Sequence, residues 1–247
     1  FPLFVVPDIG GPKIRLGVLW FAVAAGAAAW SRPALAVVMA VAAAAAADEV
    51  VRIHLGARRW AVVAAGALLP LGAVAGAAGL LTAAAGACVL LALVRMFSPG
   101  PGPAVDELGI GLLASLALGL AASAPVLVSG LGLAAGLTMV VLVCAYEVGD
   151  FVVGSGAWAR WEGPMAGMVA VGVCAFAAWT LNVAPLGQDG VAWLAATIAL
   201  LGPLGPPTGS VLLGSATVPG RYVRRLDTLL VAGPVAAYVV AHLIHTR

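Results

Sequence analysis

Stretches of apolar residues recur along nearly the whole chain, and they constrain the fold more than any other feature of the sequence. A helix of ~20 apolar residues is long enough to cross the hydrocarbon core of a bilayer. The chain of 247 residues is 63% hydrophobic and 9% charged, whereas soluble domains are roughly 25% charged. The alternation of a transmembrane barrel is not seen. The sequence therefore predicts an all-α integral membrane protein, with residues 1–247 forming one polytopic domain.

Breaks at proline, glycine and charged residues divide the chain into nine predicted transmembrane helices. They cover residues 15–31, 33–51, 60–79, 80–97, 107–128, 131–148, 163–183, 190–214 and 226–245. Residues 60–97 can also form one hairpin with a turn other than the one predicted at residues 76–79. The eighth helix contains G-P-L-G-P-P at residues 202–207. Such a break is tolerated in a membrane only where protein or a cavity covers the freed backbone groups.

Positive charge gives an independent test of this division, because cytoplasmic loops of membrane proteins carry an excess of Lys and Arg. With nine helices and a cytoplasmic N-terminus, the outside segments hold only Arg32 and Arg247. The inside segments hold Lys13, Arg15, Arg52, Arg58, Arg59, Arg95, Arg160, Arg221, Arg224 and Arg225. The bias predicts a multi-pass protein of the cell membrane (inner or plasma membrane) with its N-terminus in the cytoplasm.

Other features exclude several classes of function. A net charge of +2 is too small to indicate nucleic-acid binding. Cys88, Cys144 and Cys174 lie inside apolar runs without metal-like spacing, so we expect them to be small packing residues. Residues 1–8 do not match a signal peptide, because the first basic residues follow the short apolar stretch. No Ser/His/Asp arrangement and no phosphate-binding glycine loop with a lysine is present.

The rarest feature is a concentration of acids, with Glu147 and Asp150 at the end of an apolar run and Glu162 twelve residues later. A carboxylate at membrane depth costs ~2.5–3.5 kcal/mol, which makes it a candidate functional residue. Glu147 and Asp150 share a face if the sixth helix continues that far. Together they can hold Mg²⁺, which prefers oxygen ligands. Alternatively, Glu147 pairs with a nearby arginine and Asp150 caps the helix end.

Two further charged groups lie at the same predicted end. Arg221, Arg224 and Arg225 have helical spacing and form a basic face, which can clamp a phosphate or anchor the helix at anionic lipid head groups. Asp48 and Glu49 precede Arg52 by four and three positions, which predicts a local ion pair. We expect any ligand recognised by charge to bind from the cytoplasmic side.

Four segments resemble the phosphatidate cytidylyltransferases (CDP-diacylglycerol synthases). A-Y-E-V-G-D-F-V-V-G at residues 145–154 resembles the family's A-x-D-x-G-x-Y-x-V-G. W-E-G-P-M-A-G at residues 161–167 is similar to its W-E-G-x-x-G, and P-G-R-Y-V-R-R-L-D-T-L-L at residues 219–230 to its H-G-G-x-x-D-R-x-D-S-L-L. D-E-V-V-R at residues 48–52 is similar to an early E-x-x-R. The matches follow the family order.

The resemblance implies a nine-helix fold and the reaction of CTP with phosphatidate, which yields CDP-diacylglycerol and pyrophosphate. Metal ions would neutralise the triphosphate while the lipid phosphate attacks its α-phosphorus. On this resemblance Glu147, Asp150 and Asp227 would be the catalytic and metal-binding residues of an active member, with Mg²⁺ as cofactor.

The chain departs from the family pattern at the groups that this chemistry needs. Glu147 replaces an Asp, Pro206 and Arg224 each stand where an Asp is expected, and Pro219 replaces a His. Before W-E-G only Arg160 remains of the basic lead, and a charged loop is missing before residue 218. An arginine at a ligand position repels a metal ion by ~4 kcal/mol per unit charge at ~4 Å and an effective dielectric of ~20.

Three hypotheses follow, and we favour the first. The first is a catalytically degenerate protein that binds phospholipid or a protein partner as a subunit of a membrane assembly, without a cofactor; its lipid-phosphate-binding residues would be Arg160, Arg221, Arg224 and Arg225. The second is an active cytidylyltransferase with altered metal ligands. The third is a transporter or flippase component, with the broken eighth helix along a polar path.

Overall fold

The computed structural model describes residues 12–56, 59–97 and 103–245, with the side chains of residues 12–16 and 245 excepted. Ten α-helices and no strand are found in these ranges. The helices are α1 (Pro12–Trp30), α2 (Arg32–Leu55), α3 (Trp60–Gly72), α4 (Gly76–Phe97), α5 (Ala104–Ser129), α6 (Leu133–Gly154), α7 (Glu162–Thr180), α8 (Gly187–Leu201), α9 (Gly205–Leu212) and α10 (Asp227–His245). Of the predicted charges, Arg58, Arg247 and the side chains of Lys13 and Arg15 lie outside the described residues.

Seven helical stretches among the described residues are long and apolar enough to cross a membrane. One of them, Trp60–Phe97, is 38 residues long and contains α3, a 3-10 turn at Ala73–Ala75 and α4. The prediction of an all-α, multi-pass membrane protein is therefore confirmed. The three cysteines are free thiols; Cys144 is buried, and Cys88 and Cys174 are half-buried.

Residues 60–97 fold back on themselves. Val62 near the start of α3 and Leu91 near the end of α4 both face Gly111 of α5, and Gly72 and Gly79 pack against each other at the other end. The two helices are therefore antiparallel. Their turn lies at Ala73–Ala75, before the predicted position at residues 76–79, because Gly76 adopts a φ of 80° that ends the turn and starts α4.

Small residues bring the helices into close contact. Gly66 of α3 packs on Ala43 and Ala47 of α2, and Gly149 of α6 packs on the backbone of Ala166 in α7. In lipid, where the hydrophobic effect does not drive helices together, this close approach provides the van der Waals contact that holds them. The high content of alanine and glycine therefore has a direct structural use.

Arg32 fixes one end of the bundle. Its guanidinium donates to the carbonyl oxygens of Ala73, at 2.7 Å, and Val126, at 3.1 Å. The start of α2 thus meets the end of α3 and the end of α5, so α2 is antiparallel to both. Ser31 caps α2 by accepting the N–H of Ala34 at 3.2 Å.

The eighth predicted span is interrupted as its sequence indicates. It consists of α8, a 3-10 turn at Gly202–Leu204 and α9. Gly202 packs on the ring of Tyr146 in α6, and Gly205 packs on the carbonyl oxygen of Asp227 in α10. Protein therefore packs against both sides of the break, as expected for an interrupted helix in a membrane.

We expect Gly205→Ala to lower the free energy of unfolding by about 1–3 kcal/mol, the usual cost of overpacking. The added Cβ would collide with the backbone of Asp227, which cannot move away as the end of a side chain can. Gly172→Ala in α7 is the control, since nothing lies within 4 Å of its Cβ position; it should raise stability by about 0.5–1 kcal/mol. Unfolding by SDS in mixed micelles measures both, and equal effects would contradict the packing described.

Candidate functional site

Most of the predicted site residues lie at one end of the bundle, which we call the charged end. It contains the C-terminal ends of α2 and α6, the start of α7 and the segment that leads into α10. Glu49 of α2 contacts the backbone of residues 221–223, and Asp150 of α6 contacts Gly163 of α7. The grouping of charges at one end thus agrees with the sequence prediction.

Glu147 and Asp150 lie on α6, which continues past its predicted end at residue 148 to Gly154 and so meets the condition for placing them on one face. Glu147 lies near Thr228 at the start of α10 and near the charged groups of Arg225, Asp227 and Asp150. Its Oε1 is buried and has no hydrogen-bond partner among the described residues. The Glu147 carboxylate therefore sits between α6 and α10 with acceptor capacity left over.

Asp150 points toward the start of α7. A Cβ at Gly163 would lie 2.5 Å from its Oδ1, so this carboxylate rests directly on the glycine. Glu162, next in sequence, turns back and accepts the N–H of Ala159 at 2.9 Å. Glu162 thus caps its own loop, while Asp150 occupies the contact between α6 and α7.

Asp227 is buried, with a relative exposure of 5%, at the start of α10. Arg224 donates from Nη1 to Asp227 Oδ2 at 3.0 Å and to the carbonyl oxygen of Pro206 at 2.9 Å. It also donates from Nη2 to Ser210 Oγ at 3.0 Å. The second carboxylate oxygen, Asp227 Oδ1, has no hydrogen-bond partner among the described residues and lies against Gly209. One guanidinium therefore joins α9 to the start of α10.

The three arginines of the predicted basic face are directed to different surroundings. Arg224 is bonded to Asp227 as described. Arg225 reaches α1, where its Nη1 would lie 3.1 Å from a Cβ atom at Gly17. Arg221 is exposed. The expected single face is not formed, because Val223–Arg225 is a 3-10 turn and not part of an α-helix. Arg160 is exposed on the loop between α6 and α7.

Glu49 was expected to form a local ion pair, and it has a larger role. It accepts the backbone N–H groups of Arg221, Tyr222 and Val223 at 2.7, 2.8 and 3.0 Å. The predicted local pair is made by Asp48, whose Oδ2 lies 2.9 Å from Arg52 Nη2. Sequence reasoning missed the contact of Glu49, since its partners are 172 to 174 positions away.

The chemistry of the charged end is that of carboxylates with adjacent guanidinium groups. Within the part of the chain that the structure describes, no three His, Cys, Asp or Glu side chains form a group that could hold a metal ion. The charge of Glu147, a predicted ligand, is influenced by the other two, Asp150 and Asp227, and by Arg225. Arg224 contacts Asp227 directly. No protein-family model matches this chain, and no curated protein matches it.

Proposed function

We propose that this protein is a catalytically degenerate relative of the phosphatidate cytidylyltransferases and serves as a lipid-binding or partner-binding subunit of a membrane assembly. The observation that carries the proposal is the position of the Arg224 guanidinium. It is bonded to Asp227, Ser210 and the backbone of Pro206. In the resemblance, Arg224 and Pro206 occupy positions of lost carboxylates, and Asp227 is the surviving one. A half-buried cation thus stands where the family pattern calls for acidic ligands.

The residues present do not fit a pair of metal ions at this place. Mg²⁺ requires several oxygen ligands in near-octahedral geometry, and Asp227 already uses Oδ2 for Arg224. The guanidinium adds a repulsion of ~4 kcal/mol per unit charge for a cation at ~4 Å and an effective dielectric of ~20. We therefore derive no metal-dependent step from this arrangement.

An active enzyme with altered ligands is the second candidate. It is favoured by Glu147 Oε1 and Asp227 Oδ1, two buried carboxylate oxygens without hydrogen-bond partners among the described residues. Such atoms cost free energy unless something binds them. The transporter hypothesis gains no comparable support, since Tyr146 and Asp227 pack against the broken span.

We further propose that the chain crosses the inner or plasma membrane of the cell nine times. Its N-terminus would lie in the cytoplasm. The antiparallel pair α3 and α4 supplies two of these crossings, and α8 with α9 forms one. This assignment puts Arg52, Arg95, Arg160 and Arg221 on the cytoplasmic side and Arg32 on the other, as expected from the distribution of positive charge.

Lipid phosphate would be bound by the exposed arginines of the charged end. Arg160 lies between Trp158, with a relative exposure of 99%, and Trp161, which is also exposed. Tryptophan rings favour the head-group level of a bilayer, and they would hold Arg160 there. Arg221 is exposed as well, whereas Arg224 is bonded to Asp227 and Ser210.

Binding of phosphatidate to the purified protein tests the proposal. The double variant Arg160→Gln/Arg221→Gln should weaken binding roughly 30-fold, because each basic residue near a lipid surface contributes about 1 kcal/mol. The charge-retaining variant Arg160→Lys/Arg221→Lys is the matched control and should keep most of the affinity. Unchanged binding in the glutamine variant would refute the assignment of these residues.

A further inference from the structure

A groove opens at the charged end, between the last turns of α2 and the start of α3. Its volume is about 240 Å³, and its lining includes Ala44, Ala45, Asp48 and Arg52 of α2 and Val63 of α3. The two alanines leave the space that larger side chains would fill. The lining of the groove therefore contains both apolar and charged residues.

Of the two charged residues that line the groove, the cation is exposed and the acid is buried. The Arg52 side chain is 48% exposed, whereas that of its partner Asp48 is 5% exposed. Their contact of 2.9 Å involves Nη2 of Arg52, and a guanidinium has five N–H donors. Asp48 thus orients Arg52 and leaves donors for a second acceptor. Phosphate oxygens match this planar fork of donors.

An apolar strip on α2 leads away from this cation. Val37 and Val41 are 54% and 65% exposed, and they precede Ala45, Asp48 and Arg52 by helical spacing, so all five share one face. The strip runs along the helix axis toward the other end of the bundle. Its order, apolar and then cationic, is the order of an acyl chain and a phosphate in a membrane lipid.

Two aromatic residues border the groove at the level of Arg52. Trp60 of α3 and Tyr222 of the segment before α10 both belong to its lining and are both exposed. Their rings suit the boundary between head groups and acyl chains.

We infer that this groove binds one anionic glycerophospholipid, with its phosphate on Arg52 and an acyl chain along Val41 and Val37. Charge selects the lipid, because the exposed cation of the pair faces the groove while its acid is buried. The inference goes beyond the proposed function. It assigns a second lipid site with its own residues and does not require the chain to be degenerate.

Lipid binding to the full chain in detergent, counted by native mass spectrometry, tests the inference. Phosphatidylglycerol and phosphatidylcholine are added in separate titrations. Ala45→Phe fills the groove and keeps every charge, and Ala196→Phe is the matched control on an exposed face of α8. The double variant Asp48→Asn/Arg52→Gln removes both charges of the pair.

We expect the Kd for one phosphatidylglycerol to rise roughly tenfold or more in both groove variants, because Ala45→Phe fills the space that the lipid needs and the double variant removes a charge-assisted contact. Ala196→Phe should bind like the unchanged protein, which should prefer phosphatidylglycerol to phosphatidylcholine. If Ala45→Phe does not fold, the double variant decides. Unchanged binding in the groove variants, equal loss in Ala196→Phe, or no preference between the lipids would each overturn the inference.

The variant Arg160→Gln/Arg221→Gln separates this site from the proposed one. It should lose phosphatidate affinity and still retain the phosphatidylglycerol of the groove. If the groove variants keep that lipid and only the arginine variant loses it, the groove assignment fails and the proposed site stands. If the reverse holds, the groove stands and the proposed site fails.

Discussion

Arg224→Met is expected to lower the free energy of unfolding by about 3–5 kcal/mol, the usual cost of removing one partner of a buried ion pair. The Asp227 side chain that it leaves behind is 7% exposed, so its carboxylate would either stay charged at high cost or take up a proton. The contacts to Ser210 and to the Pro206 carbonyl would be lost as well. Unfolding by SDS in mixed micelles measures the change.

The double variant Arg224→Met/Asp227→Asn provides the control, since removing both charges avoids an unpaired buried carboxylate. It should be closer to the unchanged protein than Arg224→Met by about 2 kcal/mol or more. Arg221→Met, at an exposed position, should change stability by no more than about 0.5 kcal/mol. A double variant as unstable as the single one would show that Arg224 does not act through Asp227.

Glu49→Ala should give the second large loss, about 2–4 kcal/mol, because three backbone N–H groups lose a charged acceptor. The segment that carries Arg221, Tyr222 and Val223 should also open locally. Hydrogen exchange followed by mass spectrometry measures this directly, and the amides of these three residues should exchange faster in the variant.

Glu162→Ala is a matched control for this change. Glu162 accepts one backbone N–H, from Ala159, so its loss should cost about 1 kcal/mol. Exchange at residues 221–223 should remain slow in this variant. Equal exchange in Glu49→Ala and in the unchanged protein would mean that Glu49 does not hold the segment.

The helices could be predicted from sequence because a bilayer demands long apolar runs, and breaks in those runs are visible. The interruption after Leu201 followed in this way, whereas α6 runs past its predicted end at residue 148 to Gly154. The turn at Ala73–Ala75 was harder to place, because glycines occur on both sides of it and several of them are able to end a helix.

The contacts of the charged end could not be predicted in the same way. Glu49 and the amides of residues 221–223 meet only because α2 and the start of α10 lie side by side. The direction of Arg224 depends on a 3-10 turn, Val223–Arg225, which breaks the helical spacing that suggested one basic face. Such contacts depend on tertiary packing, and a single sequence carries no local signal for them.

Cytidylyl transfer by the purified protein tests most directly whether the site is degenerate. Labelled CTP, Mg²⁺ and phosphatidate are supplied, and pyrophosphate release is followed. Because Arg224 already neutralises Asp227, we expect no release above a protein-free control. Release that is present in the unchanged protein and lost in Glu147→Gln or Asp227→Asn would contradict the degenerate site and establish an active enzyme.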